Sequence, residues 1–288
     1  MNDSQRLPPQ RRARSARARP QPPHGRTSRP GGPHELGQNW LADHRFPAEM
    51  AEILRHAPPQ EVLELGAGNG AITRALVAAG FRVTAVEIDP RCAARLRRTF
   101  AGQAAIVEGD MLGFDFGARP HHVVANVPFS LTTPLLRRLV GQNHWDTAVL
   151  VVQWEVARKR AGVGGTTMFT AAWWPWYEFS LCRRVPAAAF APRPSVDGGI
   201  LLVRRRPVPL VQASERKTYQ DLVRVAFTGP GRGLPGILHG RLPERAVRDW
   251  MAAAAIGPRA LPRDVPAGQW TSLHERRRRT AGRRPTEG

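Results

Sequence analysis

Residues 61–79 read EVLELGAGNGAITRALVAA, and this stretch decides the fold. Apolar residues dominate 61–65, which is typical of a strand, and residues 71–79 have the spacing of an amphipathic helix. The three glycines between them allow a tight turn and let a ligand approach the backbone closely. A strand, a glycine turn and a helix form the first unit of a mainly parallel sheet, so we predict an α/β fold of Rossmann-like type.

The rest of the chain continues this alternation of short apolar runs and helical patterns. Pro90 is expected to open a helix at its first turn. Further strands are predicted at 82–86, 104–107, 122–125 and 147–153, with a closing pair at the sheet edge at 179–182 and 199–203. From residue 206 the pattern changes to helices broken by Gly and Pro, such as 215–227 and 243–255, which predicts a small helical domain.

Composition divides the chain into four parts. Residues 1–33 are rich in Arg, Pro, Gly, Ser and Gln, and we expect this extension to be disordered because it has too little apolar surface to bury. The α/β domain is expected at 34–205 and the helical domain at 206–275. The basic tail, residues 276–288, is expected to be disordered as well.

The net charge of +20 comes almost entirely from arginine. Polyanionic nucleic acid is the usual partner of such a chain, although a solvated surface with charged tails is the alternative. Cys92 and Cys182 form no metal-binding or disulfide pattern, so we expect no metal and a reducing, cytoplasmic location. No run approaches the roughly 20 apolar residues that span a bilayer, and the N-terminus does not resemble a secretory signal.

Two enzyme classes compete for the glycine loop. Gly66, Gly68 and Ala71 satisfy the G-x-G-x-x-A dinucleotide fingerprint, with Glu87 at the distance expected for a ribose-binding carboxylate. Such a loop serves hydride transfer from a nicotinamide, or methyl transfer from S-adenosylmethionine. The acidic Glu64 would oppose a pyrophosphate but suits the ammonium group of a methionine.

Two further observations favour methyl transfer. Asp110, in the segment Gly109-Asp110-Met111 after the third strand, is placed to accept a hydrogen bond from an adenine amino group. No Tyr-x-x-x-Lys pair for hydride transfer is present, since neither Tyr177 nor Tyr219 has a lysine four residues on. We therefore predict a class I, S-adenosylmethionine-dependent methyltransferase sheet.

The stretch Asn126-Val127-Pro128-Phe129 can hold a flat base that carries an amino group. The Asn126 side-chain oxygen and the Val127 carbonyl can both accept from an exocyclic –NH₂. Pro128 fixes the turn that aims them, and Phe129 offers a ring for stacking. Alone, the match is weak, because turns of this kind occur in many protein cores.

Taken together, these motifs resemble the ribosomal RNA adenine N6-methyltransferases, which include the Erm resistance enzymes and the small-subunit dimethylases. The likeness covers about 34–275, and Val127-Pro128-Phe129 is similar to the Erm form rather than to the Leu-Pro-Tyr of the dimethylases. The matching segments are Gln38-Asn39-Trp40-Leu41, 64–71, Glu87-Ile88-Asp89, Gly109-Asp110-Met111, 126–133, Gln153-Trp154-Glu155-Val156-Ala157 and 190–196. One departure is Trp40, where the family often has phenylalanine.

This resemblance implies an activity and a partner. The expected reaction transfers methyl from S-adenosylmethionine to N6 of one adenine in 23S ribosomal RNA, which gives resistance to macrolides, lincosamides and streptogramin B. The expected substrate is nascent or unassembled large-subunit RNA, and the expected enzyme is a monomer. A small-subunit rRNA adenine dimethylase and a non-catalytic RNA-binding factor on the same scaffold remain alternatives, and mono- and dimethylation stay open.

The resemblance also assigns site residues. The expected catalytic residues are Asn126, Val127, Pro128, Phe129 and Phe190, with Phe129 and Phe190 on either face of a flipped-out adenine; Phe190 could instead be a core anchor. The expected cofactor contacts are Gln38, Asn39, Leu41, Glu64, Gly66, Gly68, Gly70, Glu87, Ile88, Asp110, Met111 and Asn126. The expected RNA contacts are Arg137, Arg138, Arg158, Lys159 and Arg160, which follow the catalytic and Gln153 segments, with a solvated surface as the alternative. The small helical domain at 206–275 is expected to bind RNA as well.

Overall fold

A computed structural model describes residues 39–55 and 58–281, with only the backbone for residues 280 and 281. Nine strands are present in this part of the chain. They are Trp40–Leu41 (β1), Glu61–Leu65 (β2), Arg82–Glu87 (β3), Ala104–Glu108 (β4), His121–Asn126 (β5), Trp145–Gln153 (β6), Tyr177–Val185 (β7), Phe190–Ala191 (β8) and Gly198–Arg205 (β9).

Ten α-helices connect and follow these strands in the described residues. They are Arg45–Arg55 (α1), Ala71–Ala78 (α2), Pro90–Thr99 (α3), Thr132–Gly141 (α4), Trp154–Arg160 (α5), Met168–Trp173 (α6), Arg216–Thr228 (α7), Gly233–Leu238 (α8), Glu244–Ala253 (α9) and Gln269–Ala281 (α10). Pro90 occupies the first turn of α3 as predicted, and the Asp89 side chain caps this helix by accepting from the Arg91 N–H at 2.8 Å.

Seven strands form one sheet in the order β4-β3-β2-β5-β6-β9-β7. All neighbouring pairs from β4 to β6 are parallel, whereas β9 runs antiparallel to both β6 and β7. The chain moves outward on one side from β2 to β4 and then returns to β5 on the other side of β2. This reversal opens a crevice at the carboxyl ends of β2 and β5, where α/β sheets bind their ligands.

Each face of the sheet carries its own apolar core. One core holds Met50, Leu54 and Leu76 from the first two helices against β2 and β3. The other holds Leu135 and Leu136 of α4 and continues into the helices after residue 205. These helices are therefore anchored directly on the sheet-bearing part of the chain.

The attachment of the C-terminal helices is specific as well as apolar. The Tyr219 hydroxyl on α7 donates to the Ala171 carbonyl on α6 at 2.7 Å. Trp176 packs edge-on against the Tyr219 ring, and Trp250 packs against Trp270 between α9 and α10. Burying a tyrosine hydroxyl costs little when it finds such a partner, so this contact fixes the orientation of α7.

The α/β fold class and the C-terminal helical segment are confirmed. One boundary needs correction: disorder was expected from residue 276 onward, but α10 continues to Ala281, and Arg278 on this helix pairs with Glu215 at 3.0 Å. The extension at 1–33 lies outside the described residues. Within the described residues, no helix has the length and apolar character needed to cross a membrane.

A second, two-stranded sheet had no sequence signal. Trp40 and Leu41 of β1 pair antiparallel with Ala191 and Phe190 of β8. The pairing brings the segment before α1 to the segment that follows β7, next to the crevice of the main sheet. Two-residue strands are too short to show any periodicity, so this contact could not be read from the sequence.

Candidate active site

A cavity of about 100 Å³ lies at the carboxyl ends of β2, β3 and β5, in the crevice that the strand order creates. It brings together most of the residues that sequence analysis selected, although they are widely separated along the chain. Its lining consists of Asn39, Trp40, Gly66, Gly68, Val86, Glu87, Ile88, Gly109, Asp110, Met111, Asn126, Val127, Pro128, Phe129, Leu131 and Phe190.

The glycine loop forms one wall of this cavity. Gly66 and Gly68 have φ values of +77° and +54°, which L-residues with side chains rarely adopt. A Cβ on Gly66 would lie 2.7 Å from the Met111 side chain, and one on Gly68 would lie 3.0 Å from the Trp40 ring. The loop therefore needs glycine both for its backbone conformation and for the space beside it.

Glu87 ties the loop to the end of β3. Its carboxylate accepts from the Gly68 N–H at 2.7 Å and from the Asp89 N–H at 2.9 Å, and only 1% of the residue is exposed. A carboxylate has about four acceptor sites, so two remain for the hydroxyls of a ribose. Glu87 can thus hold the loop and a sugar at the same time.

The far end of the cavity suits a flat aromatic base. Ile88 is 43% exposed and Met111 is buried, and both contribute apolar surface to the cavity. One oxygen of Asp110 accepts from the Leu112 N–H at 2.9 Å, which fixes the side chain. The other oxygen can accept from an amino group, as predicted for an adenine.

The turn after β5 forms the opposite wall. The Asn126 amide nitrogen donates to the Asn39 carbonyl at 2.7 Å, which leaves the amide oxygen as the free end of the side chain. The Val127 N–H donates to the Val151 carbonyl at 3.0 Å, which fixes the backbone of the turn on β6. Both acceptors proposed for an amino group are therefore held in place by contacts that do not use them.

The two phenylalanines differ in their surroundings. Phe129 begins a short 3₁₀ turn after Pro128 and is half-buried, so part of its ring faces the cavity. Phe190 is only 4% exposed, pairs with Leu41 between β8 and β1, and packs against Gly198. Phe190 lines the cavity and anchors the core at once, so the two interpretations given for it are compatible.

Glu64 lies beneath the loop, next to a smaller cavity of about 20 Å³ that Trp40 and Asn126 also line. Its Oε2 accepts from the Thr73 hydroxyl at 2.6 Å, whereas its buried Oε1 has no partner among the described residues. Removal from water raises the pKa of Glu64 to about 8. A cationic group in this cavity would find an unsatisfied acceptor.

Besides Glu64, Leu41 and Gly70 are predicted cofactor contacts that do not line the larger cavity. Gln38 lies outside the described residues. Leu41 is buried and borders only the smaller cavity and a neighbouring surface groove. Gly70 caps α2 in the left-handed conformation, and a Cβ there would lie 2.7 Å from Leu96, so its role in the fold is to let α3 pack closely.

The five basic residues predicted to contact RNA separate into two groups. Arg137 and Lys159 are exposed, and Arg158 pairs with its helix neighbour Glu155 at 3.2 Å. Arg138 donates to the Phe114 carbonyl and lies over the Phe116 ring. Arg160 donates to the Thr167 hydroxyl at 3.1 Å and lies over the Phe169 ring at 4.6 Å from its centroid.

Burial lowers the pKa of the Arg160 guanidinium, which agrees with its partly enclosed position. Arginines engaged in this way contribute to packing through their stems as well as to surface charge. The exposed members, Arg137 and Lys159, are thus the ones most free to meet a phosphate.

A model of the ribosomal RNA adenine dimethylase family matches residues 32–278. The chain belongs to this family. It is 60% identical over 255 residues to the mycinamicin-resistance protein MyrB of Micromonospora griseorubida, covering 88% of this chain and 82% of MyrB.

Two further relatives extend the comparison. The crystal structure of the 23S rRNA methyltransferase ErmE superposes with a TM-score of 0.78 at 33% identity, covering 83% of this chain and 99% of the ErmE chain. The ribosomal RNA small subunit methyltransferase A of Synechococcus sp. (strain JA-3-3Ab) is 33% identical over 257 residues, covering 83% of this chain and 91% of that protein.

The protein is therefore an rRNA adenine N6-methyltransferase, and S-adenosylmethionine is its methyl donor. The cavity fits this cofactor on its own chemistry. A glycine wall without Cβ atoms, the acceptors of Glu87 and Asp110, and the unpartnered oxygen of Glu64 match a nucleoside joined to an amino acid. Trp40 also lines the cavity but was not among the predicted site residues. Its place in the motif Gln38-Asn39-Trp40-Leu41 was the signal that could have pointed to it.

Proposed function

We propose that the protein methylates N6 of one adenine in 23S ribosomal RNA and so confers resistance to macrolides, lincosamides and streptogramin B. Its 60% identity to a mycinamicin-resistance protein and its likeness to ErmE, a 23S rRNA methyltransferase, support this target. The observation that carries the proposal is the Asn126 turn, whose two acceptors are pre-set beside the cofactor cavity.

An amino group on an aromatic base is a poor nucleophile, because its lone pair is delocalised into the ring. Hydrogen bonds from the –NH₂ to the Asn126 oxygen and the Val127 carbonyl favour a pyramidal nitrogen and localise that pair. Holding the nitrogen in a reactive orientation can lower a barrier by several kcal/mol, up to about 7–11 kcal/mol in the best cases. Bound S-adenosylmethionine supplies the electrophilic methyl group, and the methylated nitrogen then loses its proton to water.

The aromatic residues bind the base itself. An adenine inside an RNA helix is out of reach, so it must leave its stack to enter the site. Phe129, with part of its ring facing the cavity, would stack on the extruded base, and Phe190 would close the other side. A stacking contact is worth roughly 1–3 kcal/mol, which is similar to the cost of unstacking a base.

On the cofactor side, Glu87 would accept from the ribose hydroxyls and Asp110 from the adenine amino group. The Met111 backbone and the Ile88 side chain would contact the adenine ring. Glu64 would accept from the ammonium group, because its free oxygen faces the smaller cavity next to Asn126. Asn39 holds Asn126 through its carbonyl and would position the amide between the two ligands.

We propose that RNA reaches the site over α4 and α5, where Arg137 and Lys159 are exposed, and that the helical segment after residue 205 contributes further contacts. Nascent or unassembled 23S rRNA in the cytoplasm is the substrate, and the protein acts as a monomer. Methylation of free 23S rRNA but not of assembled large subunits, by a protein that sediments as a single chain, would support these statements.

A small-subunit dimethylase is the second candidate, since a protein of that name is 33% identical to this chain. The experiment that separates the two is expression in a macrolide-sensitive strain, with an Asn126→Ala control. Digestion and mass spectrometry of both ribosomal RNAs then locate methylated adenine. We expect a modified 23S adenine and raised macrolide tolerance with the wild type only; modification of 16S rRNA alone, or of neither RNA, contradicts the proposal.

A further inference from the structure

Two buried polar atoms of opposite hydrogen-bonding character border the same small cavity. The indole Nε1 of Trp40, a donor, and the Oε1 of Glu64, an acceptor, are both buried without a partner among the described residues. Both residues line the cavity of about 20 Å³ next to Asn126. Since nearly all buried polar groups in proteins find a partner, this pair indicates a ligand that offers an acceptor and a donor together.

Most other donors around the loop are already engaged, and Asn69, which also lines the small cavity, is exposed to solvent. The N–H groups of Gly66 and Ala67 donate to Val86, and that of Gly68 donates to Glu87. The Gly70 N–H donates within the loop to the Ala67 carbonyl, and the Ala71 N–H to the Asn69 side chain. The amide nitrogen of Asn126 is bound to the Asn39 carbonyl. The indole N–H of Trp40 is left as a side-chain donor with no such contact in the described part of the chain.

The position of Trp40 is also fixed. Its strand β1 pairs with β8, and its ring lies against Gly68, where even a methyl group would crowd it. Trp40 lines the larger cavity as well as the smaller one, as do Gly66 and Asn126. Among the described residues, no lysine or arginine lines either cavity, and the nearby Arg95 is exposed and donates to the Gly68 carbonyl.

We propose that Trp40 donates its indole N–H to the carboxylate of the cofactor's methionine portion and is a specificity-determining residue for that end. Glu64 accepts from the ammonium group on the same carbon, so the two side chains recognise the zwitterion as a pair. The inference rests on S-adenosylmethionine as the methyl donor and concerns the cofactor, independently of which RNA is methylated.

A single water molecule bridging the two atoms is the competing interpretation, because about 20 Å³ can hold one water. In that case the indole would stabilise the fold and contribute nothing to the choice of cofactor. The two interpretations differ in their response to a ligand that lacks only the carboxylate.

The test measures binding by isothermal titration calorimetry, without RNA, for S-adenosylmethionine and for decarboxylated S-adenosylmethionine. The latter keeps the nucleoside, the sulfonium and the ammonium group. The proteins are the full-length wild type, Trp40→Phe, and Trp174→Phe as a matched control outside both cavities. Thermal melts of the three proteins establish that each is folded.

We expect the wild type to bind S-adenosylmethionine at least about tenfold more tightly than the decarboxylated compound, as for loss of one hydrogen bond to a charged group. Trp40→Phe should weaken binding of S-adenosylmethionine by about tenfold and change binding of the decarboxylated compound by less than about twofold. Trp174→Phe should change neither.

Equal weakening for both ligands in Trp40→Phe would assign the indole to packing and overturn the proposal. Equal affinity of the wild type for both ligands would overturn it without any variant. A folded wild type that binds neither ligand would instead contradict the assigned cofactor. Methylation of an RNA other than 23S rRNA would contradict the proposed function but would not change cofactor binding by the Trp40 variant. A failure of the proposed function and a failure of the Trp40 proposal are therefore distinguishable.

Discussion

Two of the concave sites in the described residues differ in size and in chemistry. The cavity at the ends of β2 and β5 measures about 100 Å³, whereas a groove between α8 and α9, here called the C-terminal groove, measures about 560 Å³. The groove is lined mainly by apolar side chains such as Leu238, Val247 and Met251. Its described lining includes no buried polar atom without a partner.

The cavity at the ends of β2 and β5 is nevertheless the site that can perform chemistry. Polar groups from five separate segments converge on it, and several are held by contacts that leave their reactive atoms free. A binding site is recognised by a few well-placed polar groups more than by its volume. We therefore predict that the chemical step depends on single polar atoms in the cavity and much less on the apolar side chains that line the groove.

The largest effect is expected at Asn126. Asn126→Ala removes one acceptor for the amino group and should lower the methylation rate on the order of 10²–10³-fold, as for loss of a preorganised polar contact. The cofactor affinity, measured separately by calorimetry, should change far less. With RNA at saturating concentration, the matched groove variant Arg248→Ala should stay within about twofold of the wild-type rate, because a contact with RNA would affect binding rather than the chemical step. Similar methylation rates for the two variants would contradict the claim that the chemical step depends on the cavity and not on the groove.

Removal of the stacking ring should have the next largest effect. Phe129→Ala should lower kcat/KM for RNA roughly 5–150-fold. This corresponds to a loss of about 1–3 kcal/mol of transition-state stabilisation, which is what base stacking is worth. The melting temperature should hardly change, because the ring is only half-buried. Phe129→Tyr retains the ring and should restore most of the activity; a tyrosine variant as slow as the alanine variant would exclude stacking.

The buried carboxyl of Glu64 should make the free energy of unfolding depend on pH. Without cofactor, burial raises the pKa of this carboxyl to about 8, so it is protonated in the folded protein below that pH but ionised in the unfolded chain above pH about 4.5. The stability of the cofactor-free protein therefore falls as pH rises between these values, whereas an ammonium group against Oε1 would favour the ionised form. From pH 6 to pH 8 the loss should be about 2 kcal/mol, and Glu64→Gln should remove it. Urea melts across this range measure the slope. If the unfolding free energy of wild type and Glu64→Gln had the same pH dependence, Glu64 would already be ionised in the folded protein and the prediction would be wrong.

The smallest effects are expected on the basic surface. The double variant Arg137→Ala/Lys159→Ala should flatten the dependence of log K for RNA on log salt by about one unit for each phosphate that the protein no longer binds. Arg138→Ala and Arg160→Ala should instead lower the melting temperature, because both side chains have partners within the protein. If the Arg138 and Arg160 variants instead flattened the salt dependence of RNA binding and left the melting temperature unchanged, these two arginines would be RNA contacts and the assignment would be wrong.

Local signals account for what the sequence could predict. The glycine loop, the strands of the main sheet and the Asn126 turn each depend on a few neighbouring residues, and their order along the chain places them at one sheet edge. The positions of Glu87 and Asp110, which we propose to contact the cofactor, follow from the same rule, because each comes at or just after the end of a parallel strand.

Long-range contacts could not be predicted. The bond from Asn126 to the Asn39 carbonyl joins residues 87 positions apart, and the β1–β8 pairing depends on two residues from each strand. The partners of Arg138 and Arg160 are likewise set by packing, since composition alone cannot tell an exposed arginine from an engaged one. Trp40 gained its place in the cavity through the β1–β8 pairing.

The central claim is that the cavity methylates N6 of one adenine in 23S rRNA, and labelled methyl transfer tests it most directly. Purified protein is incubated with methyl-labelled S-adenosylmethionine and an equimolar mixture of protein-free 16S and 23S rRNA, and the labelled nucleotide is mapped by digestion and mass spectrometry. We expect label at N6 of a single 23S adenine, and no label with Asn126→Ala. Label in 16S rRNA, label at another atom, or no label from a folded protein that binds the cofactor would contradict it.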